Sequence, residues 1–143
     1  MTVEIVALTG GVGGAKLVVG LARAVPGRRL ACIVNVGDDF DHLGLRICPD
    51  IDSVLYALAG MADPDRGWGL AGETWRFMAH LDALGGPDWF RLGDGDLALH
   101  VLRSDALARG ATRTAVTTQV AAKLGVDARA LPVPDDRVSS RVH

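Results

Sequence analysis

The sequence predicts an α/β chain: a Rossmann-like parallel sheet with flanking helices. Three observations carry this expectation. An apolar run, Glu4-Ile-Val-Ala-Leu-Thr9, leads straight into Gly10, Gly11, Gly13 and Gly14, and an amphipathic pattern follows. A second apolar run, Leu30-Ala-Cys-Ile-Val-Asn-Val36, is rich in branched residues and too short for a helix. A strand, a helix and a strand in so short a stretch form a βαβ unit, with parallel strands and a right-handed crossover. Further helical patterns, several closed by glycine, then precede one short last strand.

The elements follow in order. Residues 3–8 form a buried strand, and 14–25 a helix stopped by Pro26-Gly27. Residues 30–36 form the second strand, and Gly37–Gly44 a polar, turn-rich stretch. Asp52 or Ser53 caps a helix over 53–61, and Asp63-Pro-Asp-Arg-Gly67 is a turn. Residues 74–84 read as a helix ended by Gly85-Gly86-Pro87. A long amphipathic helix spans 96–109, with Leu97, Val101, Leu102 and Ala106 on one face and Gly110 at its end. Another helix spans 114–124 and ends at Gly125. The last strand is Ala130–Val133, with a further incipient strand over Arg137–Val142. A parallel sheet covered on both faces needs more strands than these, so residues 1–143 read as a single α/β domain that is an incomplete version of a larger one.

Bulk composition narrows the function classes. A chain of 143 residues, 49% hydrophobic and 22% charged, is large enough to bury a core as one soluble globular domain. A net charge of −2 with no Lys/Arg block excludes general nucleic-acid binding. The apolar runs fall short of the roughly 18 residues of a membrane span, and no positive leader precedes the first, so a cytoplasmic location is expected. Cys32 and Cys48 share no metal or redox spacing, and Cys32 reads as a buried thiol. Exposed sheet edges would favour a homodimer.

The glycine cluster points to the chemistry. Glycines let backbone N–H groups approach an anion, and a helix N-terminus adds unpaired donors and a partial positive charge. Gly10, Gly11, Gly13 and Gly14, with Lys16 and Asn35, are therefore candidates for phosphate or nucleotide binding. The Walker pattern is not met, since Ala15 stands where its second glycine belongs and Leu17 where its hydroxyl belongs. The dinucleotide fingerprint is not met either, because Lys16 replaces its third glycine. The plain structural alternative is a tight strand-to-helix turn.

Ligands of open parallel sheets bind beyond the carboxyl ends of the strands. The second loop carries Asn35, Asp38, Asp39 and Asp41 to that rim. Asp50 with Asp52, and Arg91 with Asp94 and Asp96, open helices close behind. Paired carboxylates beside a phosphate loop suit Mg2+, although aspartates at helix starts are commonly caps. His42, His80, His100 and His143 share no ligand spacing, but His100 lies one helical turn on from Asp96. Trp68, Trp75, Trp89 and Phe90 are core candidates, with Trp68 also placed to flank a flat aromatic ligand.

Several strings together resemble a known family. Gly10-Gly-Val-Gly-Gly-Ala-Lys-Leu17, Asn35-Val-Gly-Asp-Asp39, Pro49-Asp-Ile-Asp-Ser-Val-Leu-Tyr56, Arg66-Gly-Trp-Gly69, Glu73-Thr-Trp75 and Leu92-Gly-Asp94 occur in the order found in the 2-phospho-L-lactate transferase (CofD-like) family. Arg103, Gly110, Val116-Thr117 and Leu131-Pro132 with Asp135-Asp136 continue the likeness. The resemblance implies transfer of a phospholactyl or phosphoenolpyruvyl group from a guanosine-diphosphate-activated donor to the deazaflavin FO. That reaction releases GMP, requires Mg2+ and belongs to coenzyme F420 biosynthesis. It further implies that Asp52 and Arg91 contact FO and that the glycine loop holds the donor phosphates; Asp52 and Asp94 are the candidate catalytic carboxylates, and Asp50 and Asp52 the candidate metal ligands. The chain departs from the family in three respects. It is about half the usual length, Gly95 replaces an arginine in Leu92-Gly-Asp-Gly-Asp96, and Leu99 replaces a threonine before His100. The alternative is a non-catalytic remnant that binds FO or a nucleotide; a third reading, a dinucleotide domain, fits the glycines less well.

Overall fold

A computed structural model describes residues 2–26, 29–138 and Arg141. Strand β1 (Ile5–Thr9), helix α1 (Gly11–Ala24) and strand β2 (Leu30–Val34) form the expected βαβ unit. The two strands are parallel, with Ile5 opposite Leu30 and Thr9 opposite Val34. A third parallel strand, β5 (Arg129–Pro132), lies on the other side of β2, so the sheet order is β1-β2-β5. The incipient strand does not form at Arg137 and Val138; its remaining residues, apart from Arg141, lie outside the described residues, as do Gly27 and His143.

Between β2 and β5 run a hairpin, β3 (Phe40–His42) with β4 (Leu45–Ile47), and helices α2 (Pro49–Leu58), α3 (Arg76–Ala83), α4 (Asp94–Ala108) and α5 (Arg113–Lys123). The hairpin corrects the expected turn-rich stretch. Leu43 and Gly44 both have positive φ, 53° and 76°, the backbone of a tight hairpin turn whose twist matches its strands. Helix α2 begins at Pro49 rather than 53. Proline is pre-shaped for the first helical position, so Asp50 and Asp52 sit inside the first turn, facing its positive end, rather than ahead of it as caps. In α5 the Thr112 hydroxyl caps the helix by accepting from the Ala115 N–H at 3.1 Å.

One apolar core joins α1, α2 and α5 to the sheet, with Val18, Leu30, Cys32, Val34, Ile51, Val54 and Leu55 fully or almost fully buried. A smaller core gathers Ile47, Met78 and Leu92, with Trp75, Phe77 and Phe90 packed against it. Trp89 is 67% exposed, so it is not a core residue; it lies against Phe40, His42 and Phe90 at the surface. Helix α4 departs further from expectation. Val101 and Leu102 are exposed, and the side chains buried from this helix are His100 and Arg103. Leu97 and Ala106 of the expected face, with Leu99 and Leu107, do pack against the two cores as partly buried residues, so the inward stripe mixes apolar side chains with His100 and Arg103.

Candidate functional site

The N-termini of α1, α2 and α4 meet at the carboxyl ends of β1 and β2. They enclose an open cleft of about 240 Å³, lined among others by Gly11, Asp52, Tyr56, Trp68, Arg91 and His100. Small-molecule sites usually span about 300–1,000 Å³, so this cleft surrounds part of such a ligand rather than all of it.

The glycine loop is built for close approach. Gly11 has φ +62°, which L side chains rarely adopt. A Cβ on Gly14 would fall 2.4 Å from the Thr9 hydroxyl, so this glycine lets α1 close onto β1. Gly13 faces open space. The Asp50 carboxylate locks the loop in place: one oxygen accepts from the Gly11 N–H, and the other from the Asn35 amide at 2.9 Å. The same Asn35 amide donates to Asp38, also at 2.9 Å. Asp50 and Asn35 thus tie the first loop to the second. Lys16 projects from the exposed side of α1 toward a different hollow, beside Val12 and Asp63.

Behind the cleft lies a buried polar network. Asp52 and Arg103, with side chains 8% and 3% exposed, form an ion pair in which both terminal nitrogens of Arg103 donate to Asp52. Arg103 also donates to the Arg46 carbonyl at 3.3 Å. Burial pushes the Asp52 carboxyl up, with the Arg103 guanidinium pulling against it. The imidazole of His100 lies between two carboxylates, Nδ1 at 3.7 Å from Asp52 and Nε2 at 3.3 Å from Asp96. Neither nitrogen is aligned for a hydrogen bond, although the residue is only 1% exposed. The Tyr56 hydroxyl donates to the other oxygen of Asp96 at 2.6 Å. Burial pushes the Asp96 carboxyl up, but the adjacent His100 and Tyr56 outweigh it and hold the group low. Burial and the two nearby carboxylates push the Tyr56 hydroxyl up, keeping it a donor. A second buried pair, Asp39 with Arg113 at 3.3 Å, supports the loop after β2.

The expected site residues therefore divide. Asp52 and Arg91 reach the same cleft, as does Gly11 of the loop. Asp50 lines the cleft too, but both its oxygens are held by the loop. Asp94 caps α3: it accepts from the Thr74 hydroxyl at 2.6 Å and from the Arg76 and Phe77 N–H groups, which keep its carboxyl low. Glu73 fills the N-terminus of α4 by accepting from Gly95 and Asp96 N–H at 2.7 and 2.6 Å. Three residues that sequence reasoning did not single out for the site are Tyr56, Glu73 and Arg103. The available signal was Asp96, His100 and Arg103 at i, i+4 and i+7, which places all three on one helix face.

One wall of the cleft is aromatic and cationic. The Arg66 guanidinium lies 5.4 Å from the ring centres of both Trp68 and Trp75, and Arg91 lies 5.4 Å from Trp75. Asp63 anchors Arg66 through hydrogen bonds of 3.1 and 2.9 Å. Trp68 remains 48% exposed at the mouth. On the opposite side Asp52, Asp96 and His100 bring one ligand atom each to within 4.8 Å of one another, a set that can hold a divalent cation. The unpartnered nitrogens of His100 fit such an ion.

Among the described residues no helix is long and apolar enough to cross a membrane. The chain matches the sequence profile of a family described as 2-phospho-L-lactate transferase CofD over residues 5–143. It is 45% identical to a phosphoenolpyruvate transferase of Nocardia farcinica, over 97% of this chain and 42% of that protein. It is 42% identical to a phosphoenolpyruvate transferase of Streptomyces avermitilis and 44% identical to one of Kitasatospora aureofaciens, each over 97% of this chain and 44% of the relative. The chain thus spans less than half the length of these relatives. The chain belongs to the 2-phospho-L-lactate transferase CofD family.

Proposed function

We propose that the chain acts in coenzyme F420 biosynthesis, in the transfer of a phosphoenolpyruvyl group from a guanosine-diphosphate-activated donor to the deazaflavin FO. The observation that carries this reading is the convergence of a glycine-rich helix N-terminus, Asp52 and Arg91 on one cleft. The names of the relatives favour an enolpyruvyl over a lactyl donor. A cytoplasmic setting suits two small, soluble substrates.

In this reading the first turn of α1 receives the donor diphosphate. Its free N–H groups and positive helix end offset phosphate charge, and Gly13 leaves the approach open. Trp68, backed by Arg66, offers a flat surface for the deazaflavin ring. Arg91 and Asp52 bind FO and orient its ribityl hydroxyl. The hydroxyl oxygen forms a bond to the phosphorus carrying the enolpyruvyl group, its proton passes to water, the bond from that phosphorus to the bridging oxygen breaks, and GMP leaves. Positioning and charge neutralisation supply most of the acceleration in such transfers. Mg2+ bound with the donor would neutralise diphosphate charge.

Incubation with FO, the activated donor and Mg2+ tests the reading: GMP should appear only when FO is present. A second reading, binding without turnover, is favoured by Gly95, which places no cation beside the start of α4, where Glu73 already holds the helix end. A folded chain that binds FO yet releases no GMP would establish that alternative and overturn the transferase reading.

A further inference from the structure

We propose that Asp52, Asp96 and His100 form a resident site for a divalent transition-metal ion of the Mn2+, Co2+ and Zn2+ class, filled without nucleotide and selective against Mg2+. The three residues converge from two elements, α2 and α4, on one wall of the cleft, with their ligand atoms within 4.8 Å of one another.

The carboxylates alone would not carry this inference; the histidine does. His100 is 1% exposed, and both its ring nitrogens lack a hydrogen-bond partner while facing two carboxylates. A buried polar group is ordinarily paired, and leaving one unpaired is costly. An ion bound through one ring nitrogen would satisfy that atom directly. It would leave the other ring nitrogen as an N–H beside a carboxylate oxygen not used for the ion, and a carboxylate partner of that kind is common around metal-bound histidines.

The groups behind the ligands are also in place. Tyr56 donates to Asp96 at 2.6 Å and fixes the rotation of that carboxylate. Arg103 holds Asp52 from behind, and it offsets part of the negative charge that would otherwise repel the two acids. Two carboxylates and one guanidinium leave a net charge of −1 in the cluster, so a divalent ion brings it to +1. That residual positive charge faces a cleft read above as the place of anionic substrates.

The donor set selects the ion. Magnesium favours oxygen ligands and sheds water reluctantly, whereas imidazole suits manganese, cobalt and zinc progressively better. An Asp/Asp/His set therefore discriminates against magnesium, whatever ion accompanies the donor phosphates. The site does not depend on the transferase reading, because its ligands belong to the chain alone.

Titration of the metal-stripped chain with Mn2+, followed by electron spin resonance, and with Co2+, followed by visible absorption, tests the site without substrate. One ion per chain should bind, and a 100-fold excess of Mg2+ should leave most of it in place. His100→Asn should weaken binding by at least tenfold, with its fold checked by circular dichroism. Tyr56→Phe, which keeps all three ligands, should weaken it roughly tenfold, the scale typical of groups that orient metal ligands. Failure of the folded wild-type chain to bind Mn2+ or Co2+ would overturn the proposal, as would binding unaffected in both variants. Ready displacement by equimolar Mg2+ would overturn the claimed selectivity. None of these results bears on whether FO binds.

Discussion

Replacing Arg103 with methionine keeps most of its volume and removes the guanidinium on which the buried network depends. In the native chain that group serves both oxygens of Asp52 and the carbonyl of Arg46, with its side chain only 3% exposed. Without it, the Asp52 carboxylate stays buried with no strong donor. Breaking a buried ion pair from one side costs about 3–5 kcal/mol, against a total stability of about 5–15 kcal/mol for a domain. With a urea dependence of about 2 kcal/mol per molar, the unfolding midpoint should fall by about 1.5–2.5 M. Asp52→Asn combined with Arg103→Met strands no charge, so the double variant should be more stable than Arg103→Met alone. The loss should also depend on pH in a definite sense. Burial already raises the Asp52 carboxyl, and removing Arg103 raises it further. A carboxyl raised on folding stabilises the protein when protonated. Stability of the variant should therefore return as pH falls through the folded value, in full below the unfolded one. An Arg103→Met midpoint within about 0.3 M of wild type at pH 7 would refute the buried-pair argument.

Four further outcomes follow from the same geometry. Burial pushes the Cys32 thiol up to about 11 and the Cys48 thiol up to about 12, so an aromatic disulfide reagent at pH 8 should label neither until the chain unfolds. For the same reason their contribution to stability should be intact below pH 9 and fade above it, by about 1.4 kcal/mol per pH unit per thiol until each folded value is reached. Gly13→Ala meets open space within α1 and should stabilise the chain by up to about 1 kcal/mol, alanine being the better helix former, while weakening GDP binding in a titration, whereas Gly14→Ala drives a Cβ toward the Thr9 hydroxyl and should cost about 1–3 kcal/mol. Asp50→Asn turns one of two anchoring acceptors into a donor facing either Gly11 or Asn35, which should cost about 1–3 kcal/mol and loosen the loop, seen as faster amide exchange at Gly11.

The parts of the fold legible in the sequence were those with local causes. The βαβ start needed only two short apolar runs and a glycine cluster, and Gly110 and Gly125, both at positive φ, mark the ends of α4 and α5. The hairpin was hidden because Leu43 occupies a positive-φ position where asparagine or glycine would have announced the turn. Asp52 was visible as an acid at a helix start, yet its partner Arg103 lies 51 residues away, a pairing that no local pattern encodes. The role of Asp94 was obscured in the same way: the helix it caps is α3, 17 to 18 residues earlier in the chain, not the one it begins. Apolar periodicity reads only part of α4: Leu97 and Ala106 pack inward as expected, but Val101 and Leu102 are exposed, and the most buried side chains are His100 and Arg103, polar groups that enter a core where Asp52 and Asp96 face them.

The central claim, that this cleft receives a deazaflavin, is tested most directly by titrating the chain into FO and following its fluorescence. Saturable binding is expected, lost in Asp52→Ala and in Arg91→Ala, with Arg91→Ala remaining folded at the cost of one exposed cation–π contact with Trp75, about 0.5–1 kcal/mol. Binding that persists in both folded variants, or a folded wild-type chain that leaves FO fluorescence unchanged, would contradict it.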